Sequence, residues 1–355
     1  DTKFTEIYET LEEDIKSIKN TPKHYPSHPL LEGKAEFYFG LELTDKFKLD
    51  GTSVWNIDEL KEELPSIDCE NKEEELIIKF FNNVIKKYYV NEELLNFTLG
   101  LISASKDGLS ETELIDIISN EEKILKSYDK DQRYQQLNKL PDAIFSKMYY
   151  HIQDIFTEKL IDGEMLINPY HRVIEEVIKN YFYKINKNQL HKKLSDYFYL
   201  KQDKTKTWNK RYYNLHMLSE YPYQLFHSKQ SQELKEILFD LEFAGSVYDN
   251  NKQENFRDIM SKATQLENIT EDEIYPWKSF YREKEHLILK VNNELRKSHQ
   301  SLFQIAYEDG IDSPLYKKAE LILINDKVNW YWLKNILKKD HFYRNGLIEW
   351  FQIKE

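Results

Sequence analysis

His171 is the residue whose type and position best suit a ligand contact. It follows a predicted β-hairpin over residues 156–167, with a turn at Asp162 and Gly163, and it opens an apolar-periodic helix that runs to about Ile185. An imidazole at the start of a helix can hydrogen-bond a ligand, or it can satisfy one of the unpaired backbone amides of the first turn. The sequence leaves two interpretations open: a ligand-binding histidine, or a histidine that is satisfied by the local backbone.

The chain carries none of the spaced motifs that mark a catalytic or metal site. It has no G-x-S-x-G nucleophile motif, and its ten histidines include no H-E-x-x-H pair with zinc-ligand spacing. The single cysteine, Cys69, lies in an acidic stretch that disfavours a reactive thiolate. We therefore predict no catalytic residue and no metal ligand.

A phosphate-binding loop is also missing from the sequence. That loop needs the pattern G-x-x-x-x-G-K-[ST], whose glycines expose backbone amides to phosphate and whose hydroxyl binds magnesium. The nearest trace is Gly33-Lys34-Ala35, where alanine replaces the hydroxyl residue and His28 stands at the position of the first glycine. The sequence therefore predicts that this chain is not an ATPase by itself and holds no nucleotide alone.

Charge and composition restrict the partners and the compartment. The formal charge is −12 with a pI near 5.5, which disfavours a general electrostatic grip on nucleic acid or on an anionic membrane. No apolar run approaches the roughly 20 residues of a membrane span. One cysteine in 355 residues fits a reducing compartment, so we predict a cytoplasmic protein. The chain begins at Asp1 instead of Met, which suggests a fragment or a processed piece.

The elements that position the histidine have the order of a winged-helix domain. Ser110 and Glu113 form a predicted capping box, and Gly108 is predicted to end the preceding helix in a left-handed conformation. Helices followed by a two-stranded wing and one further helix are the winged-helix layout, which we place at residues 65–186, behind a helical segment at 1–64. The predicted helices before the hairpin cover residues 72–89, 92–105, 111–119 and 141–156.

Beyond Asn186 the pattern is helical throughout. Short polar connectors separate the helices, and no strict repeat of a named type is present. Helices that cannot bury their apolar faces alone are typical of stacked pairs, so we predict an α-superhelical, solenoid-like arm at residues 187–355. The fold class is therefore mainly α. The predicted helices of the arm cover residues 190–199, 212–225, 231–241, 254–266, 274–296, 298–309, 313–323 and 330–339.

Several phrases of the sequence resemble the region that follows the nucleotide-binding core in NACHT-type ATPases of the STAND class, of the kind followed by a WD-repeat propeller. The most specific phrase runs from Leu99 to Leu114, and the segment from Asn168 to Ile178 is similar to the closing motif of the winged helix. The phrases span most of the chain in the family's order. The others resemble the join between helical domain and winged helix (54–65), the opening helix of the superhelical arm (191–198) and the stretch before a propeller linker (301–319).

The resemblance implies a nucleotide-linked role for two residues. His171 corresponds to the histidine that touches the phosphates of bound ADP, so that the winged helix holds a closed state which ATP releases. Pro29 corresponds to the proline that packs on adenine in the first helical domain. ADP or ATP with magnesium is then expected only in a core outside this chain. The full protein would switch from a closed ADP form to an open, oligomerising ATP form in defence or programmed-death signalling.

The resulting prediction is a non-catalytic regulatory and sensor arm, whose partners are other proteins or the missing NACHT core. Two other interpretations stay open. One is a free-standing helical scaffold that binds a protein partner without any link to nucleotide. The other is a winged-helix nucleic-acid binder, suggested by the basic and aromatic run at residues 201–213. The acidic balance disfavours it, and so does the predicted helix at 141–156, which sets Lys147 against Asp142 and Asp154.

Overall fold

The computed structural model describes residues 72–128, 137–184, 186–200, 214–289, 297–325 and 328–334. In these ranges the chain is mainly helical, with fourteen α-helices and one two-stranded antiparallel sheet. The described residues from Ile77 onward belong to one compact unit. The prediction of a mainly α chain with a small sheet is confirmed at this level. None of the helices in these ranges is long and apolar enough to cross a membrane.

Five helices precede the sheet within the described residues, and each buries an apolar face. Val84, Leu99, Leu114 and Phe145 are among the core residues that have no exposed surface. The last of the five is shorter than predicted, because the chain leaves the α-helix at His151 and forms a 3₁₀ turn at Gln153–Ile155. The helices are Lys72–Tyr88 (α1), Glu92–Ala104 (α2), Glu111–Ile118 (α3), Glu122–Ser127 (α4) and Asp142–Tyr150 (α5).

The hairpin lies where the sequence predicts it. Strand β1 spans Phe156–Ile161, strand β2 spans Glu164–Pro169, and the register pairs Ile161 with Glu164. The turn residues Asp162 and Gly163 have φ angles of 56° and 85°, as a two-residue turn that follows the twist of the strands requires. Helix α6, Arg172–Ile178, follows the hairpin and continues as a π-helical turn at Lys179–Tyr183.

The loop between α2 and α3 packs against β2. The amide of Ile167 donates to the carbonyl of Leu109 at 2.9 Å, and the side-chain amide of Asn168 donates to the carbonyl of Asp107 at 3.0 Å. Gly108 has a φ of +94°, so the predicted left-handed conformation is confirmed. Its predicted place as a helix cap is wrong, because α2 already ends at Ala104. Gly108 instead allows the loop backbone to approach β2.

In the described part of residues 187–355, the predicted arm, there are eight helices, and several pack on helices that are not their neighbours in the chain. Helix α7 packs on α2 and α8, α10 packs on α13, and α12 packs on α13. The sequence predicts helices at 231–241 and 254–266, so all of α10 except Leu241 was missed. The chain breaks at Phe239 because Asp240 caps a new helix through the amide of Glu242 at 2.8 Å. The helices are Lys187–Leu200 (α7), Leu215–His227 (α8), Ser231–Leu238 (α9), Leu241–Asp249 (α10), Gln253–Lys262 (α11), Glu271–Leu289 (α12), Ser298–Glu308 (α13) and Pro314–Glu320 (α14).

The helix predicted from Trp330 is wrong over the described residues 330–334, which have no helical structure. The side chain of Gln304 on α13 replaces helical hydrogen bonds in this segment. It accepts from the amide of Leu333 at 2.7 Å and donates to the same residue's carbonyl at 3.1 Å. Trp330 and Trp332 pack their rings near Phe303 and Tyr307 of the same helix. Tertiary contacts therefore override the local helical pattern.

Candidate functional site: a buried carboxylate–histidine cluster

His171 is the N-cap of α6. Its Nδ1 accepts a hydrogen bond from the backbone amide of Val173 at 3.2 Å. A ring nitrogen that accepts carries no proton, so the proton of the neutral ring lies on Nε2, which is then the nitrogen able to donate. The local interpretation of this histidine thus has a partner in the structure. The contact to ADP phosphate stays a prediction.

Two further predicted sites fall outside the described residues. Pro29, the predicted adenine-packing proline, is one of them. The basic and aromatic run at residues 201–213 is the other. Neither prediction is tested by the structure.

A buried ionic cluster, which sequence reasoning missed, centres on His216, the second residue of α8. The imidazole has no exposed side-chain surface. Its Nδ1 lies 2.9 Å from Oε1 of Glu113, the residue that also completes the capping box of α3. Its Nε2 lies 3.5 Å from Oε1 of Glu220, which is the distance of an ion pair and not of a well-formed hydrogen bond. His216 thus lies between two carboxylates.

Glu220 has no exposed surface, yet its carboxylate is well satisfied. Oε1 accepts from the backbone amides of Lys106 and Asp107 at 2.8 and 2.9 Å. Oε2 accepts from the side-chain amide of Gln224 at 2.7 Å. These donors, together with the imidazole, replace the water that an ionised carboxylate loses on burial. A helix of the arm therefore holds the α2–α3 loop through one side chain.

The hydrogen-bond network continues beyond Glu220. Gln224 donates to the carbonyl of Ala104 at 3.1 Å and accepts from Nδ1 of His191 at 2.6 Å. Because Gln224 offers its carbonyl oxygen there, His191 is protonated on Nδ1, and its Nε2 accepts from the hydroxyl of Tyr183 at 2.8 Å. His191 is the neutral histidine of the network, and burial lowers its pKa.

The spacing of α8 explains how these groups meet. His216, Glu220 and Gln224 stand four residues apart, so they project from one face of the helix. Their partners Glu113 and His191 come from α3 and α7, which are remote in sequence. The signal that could have indicated the cluster is this polar stripe on a helix whose other residues are apolar. Nothing in the sequence reveals its partners, which lie more than 100 residues away in the case of Glu113.

The cluster is an ionic one. Burial acts to lower the pKa of His216, but the carboxylates of Glu113 and Glu220 outweigh it and raise that pKa to about 10. Burial would raise the pKa of Glu220, whereas the imidazolium of His216 and the donors from Asp107 and Gln224 lower it. At neutral pH the ring is therefore an imidazolium, and the carboxylate of Glu220 beside it is ionised.

A third carboxylate stands beside the cluster. Donor atoms of Glu113, Glu164 and His216 lie within 4.8 Å of one another, a set that could hold a metal ion. The Nδ1 of His216 already lies at hydrogen-bond distance from Glu113, and Glu164 accepts from the side chain of Asn214 at 3.2 Å. Each of the three side chains therefore already has a hydrogen-bond partner, and we assign the group a hydrogen-bonding role. The side chains of His216, Glu113 and Glu220 are at most 5% exposed, so the cluster is closed to solvent.

This ionic cluster gives the fold a pH dependence with a defined sign. The pKa of His216 is about 10 in the folded chain and about 6.5 when unfolded, so the proton stabilises the folded state. The contribution of this proton to the free energy of unfolding is complete below pH 6.5 and is lost as the pH rises toward 10. We expect the free energy of unfolding to fall across this window by up to about 1.4 kcal/mol per pH unit. Urea unfolding between these pH values measures it. His216→Gln should lack this alkaline fall, and an equal slope in both proteins would refute the assignment.

Comparison with known proteins leaves the family unassigned. No family model, curated protein or solved structure matches the chain. The geometry of the described residues therefore has to support the function.

Proposed function

We propose that this chain is the non-catalytic regulatory and protein-interaction arm of a NACHT-type STAND signalling ATPase. In this proposal residues 65–186 are a winged-helix domain and residues 187–355 an α-superhelical arm that relays sensing to a nucleotide switch. The observation that carries it is the buried cluster of Glu113, His216 and Glu220, which fastens the arm to the hairpin-bearing part. A relay requires two elements that move together, and a desolvated ion cluster between them supplies that connection.

The layout before the arm supports the winged-helix part of the proposal. Helices α2, α3 and α5 precede the hairpin, and α6 follows it. The β-bridge between Leu109 and Ile167 ties the α2–α3 corner to the hairpin. This is the order of helices, wing and closing helix that the sequence predicts.

Two more polar contacts join the hairpin to the arm. Glu164 on β2 accepts from Asn214, whose side-chain oxygen also caps α8 through the amide of Met217 at 3.1 Å. Asp162 in the hairpin turn pairs with Lys252, just before α11, at 2.7 Å. Both members of the second pair are less than a fifth exposed, so water screens their attraction only partly. A displacement of the arm would therefore be transmitted to the hairpin, and the hairpin leads directly to His171.

His171 is the latch in this proposal. Its Nε2–H would donate to a phosphate oxygen of ADP held in a core outside this chain, and ATP would shift the equilibrium to an open form. Magnesium and nucleotide belong to that core, and the cytoplasmic location follows the reducing compartment that the single cysteine suggests.

The latch is tested in a protein that joins this chain to its nucleotide-binding core. His171→Ala is expected to speed ADP release at least about tenfold, the effect of losing roughly 1.4 kcal/mol of differential binding. The measurement is the dissociation rate of a fluorescent ADP in excess unlabelled nucleotide.

A second substitution separates the imidazole from its capping role. Serine is a good N-cap, so His171→Ser keeps the helix start and removes only the ring. If the ring holds phosphate, His171→Ser and His171→Ala release ADP equally fast. Retention of ADP at the original rate in both variants would refute the latch, and fast release in His171→Ala alone would assign the residue to helix capping.

A free-standing scaffold remains the second candidate, and an open groove in the arm favours it.

A nucleic-acid binder gains no support from the structure. Helix α5, which would have to enter the groove of a duplex, presents Lys147 together with Asp142 on its exposed surface. An element that grips phosphates needs an excess of positive charge.

A further inference from the structure

An open groove of about 900 Å³ lies in the arm, apart from the buried cluster. Its walls come from α9, α10, α12 and α14, together with the residues that directly follow α9 and α14. The volume is at the upper end of the range of about 300–1,000 Å³ that ligand-binding clefts occupy. The groove is therefore large enough for several side chains of a partner.

The floor of the groove is apolar and aromatic. The rings of Phe239 and Trp277 stack with centroids 5.2 Å apart and an interplanar angle of 13°. Trp277, Leu241 and Ile322 are buried, Phe239 is half-buried and Leu321 is 57% exposed. The surface that a partner can reach is therefore the ring of Phe239 with the aliphatic edge of Leu321, and aromatic side chains are among those that contribute most to binding free energy at interfaces.

The rim of the groove is acidic. One of its lysines, Lys235, is already engaged with Glu273 at 2.6 Å. Five carboxylates and two lysines line the groove, so its formal charge is −3. The charged lining residues are Glu236, Asp240, Glu242, Asp272 and Glu273, against Lys235 and Lys318.

We propose that the groove binds a lysine- or arginine-rich segment of a partner protein, with an apolar side chain of that segment resting on Phe239 and Leu321. The acidic rim attracts the basic groups, and the aromatic floor accepts the anchor, as in helix-in-groove recognition. A second copy of this chain would bring the same acidic rim toward the first, which opposes self-association through this face. The inference concerns the arm alone and holds with or without the nucleotide-switch proposal.

The probe is a labelled amphipathic peptide built from lysine and leucine at helical spacing, titrated with the full chain and followed by fluorescence anisotropy. We expect saturable binding that weakens as salt is raised, because exposed charges are screened. A matched peptide of glutamate and leucine is expected not to bind. Equal binding of the two peptides would overturn the proposal.

Charge reversal on the rim locates the binding face. Glu236→Lys combined with Asp272→Lys changes two exposed rim residues and should weaken peptide binding at least about tenfold. The control, Glu254→Lys combined with Glu267→Lys, changes the net charge equally at exposed positions outside the groove, and should alter binding less than about twofold. An equal loss from both pairs would show a general attraction to an acidic protein and would refute the groove.

The apolar part of the proposal has its own test. Leu321→Ala removes an exposed side chain, so the fold is expected to tolerate it. Binding of the lysine–leucine peptide should still weaken severalfold, because contact area at the edge of the floor is lost. Unchanged affinity in Leu321→Ala would remove the apolar anchor from the proposal.

Sedimentation of the unmodified chain tests self-association through the groove. If the chain forms dimers and the rim charge reversal dissociates them, the occupant of the groove is a second copy of the chain and not a basic partner.

Discussion

Replacing Glu220 with alanine is expected to lower the free energy of unfolding by about 3–5 kcal/mol, the range for removing one partner of a buried ion pair. The substitution leaves the imidazolium of His216 without its second carboxylate. It also leaves the amides of Lys106 and Asp107 without the acceptor through which Glu220 holds the α2–α3 loop in place. Unpaired buried donors add their own desolvation cost. Urea unfolding of the full chain, followed by circular dichroism, measures the change.

Two controls show whether this loss comes from the cluster. Glu233→Ala, at an exposed position on the next helix, should change stability by no more than about 0.5 kcal/mol. The double variant Glu220→Ala with His216→Ala should lose less than the sum of the single losses by at least about 1 kcal/mol, since each single variant leaves a buried charge unpaired. Additive losses would mean that the two residues act independently, and the cluster would then not be a unit.

The contrast between the hairpin and the cluster shows what this sequence discloses. Asp162 and Gly163 adopt positive φ, and Ser110 and Glu113 form the capping box, because each of these signals involves residues that are adjacent or nearly so. The cluster depends on contacts between α3 and α8, which no local rule connects. Its only trace is the polar stripe at His216, Glu220 and Gln224, and such a stripe is also typical of a solvated helix face.

The helix predicted at residues 330–334 is wrong for the same reason, because a contact with a residue remote in sequence decides the structure there. Its aromatic and aliphatic residues have helical spacing, yet Gln304 pairs with both backbone groups of Leu333. A side chain that supplies the hydrogen bonds of a segment removes the need for a helix.

His171 lies between the locally determined hairpin and the cluster that depends on remote contacts. Its position at the helix start was predictable and its hydrogen bond to Val173 is local, whereas the ADP contact proposed for it involves no residue that the structure describes.

Gly108 connects the loop held by Glu220 to the hairpin that leads to His171. A Cβ atom at this position would lie 2.6 Å from the carbonyl oxygen of Ile167 and 2.4 Å from the side-chain nitrogen of Asn168. The first of these neighbours is backbone of β2, so the strand itself would have to move. Gly108 also has a φ of +94°, a conformation that side chains with a Cβ rarely adopt.

Gly108→Ala is therefore expected to destabilise the chain by about 2–4 kcal/mol, combining backbone strain with the displacement of β2. Gly163 provides the matched control. Its φ of +85° imposes similar strain, but nothing lies within 4 Å of a Cβ placed there. Gly163→Ala should thus cost about 1–2 kcal/mol. Urea unfolding measures the loss of stability in both variants. The difference between the two losses is the cost of the steric clash at Gly108. If the two losses are equal, the close approach of the α2–α3 loop to β2 contributes nothing to the free energy of unfolding.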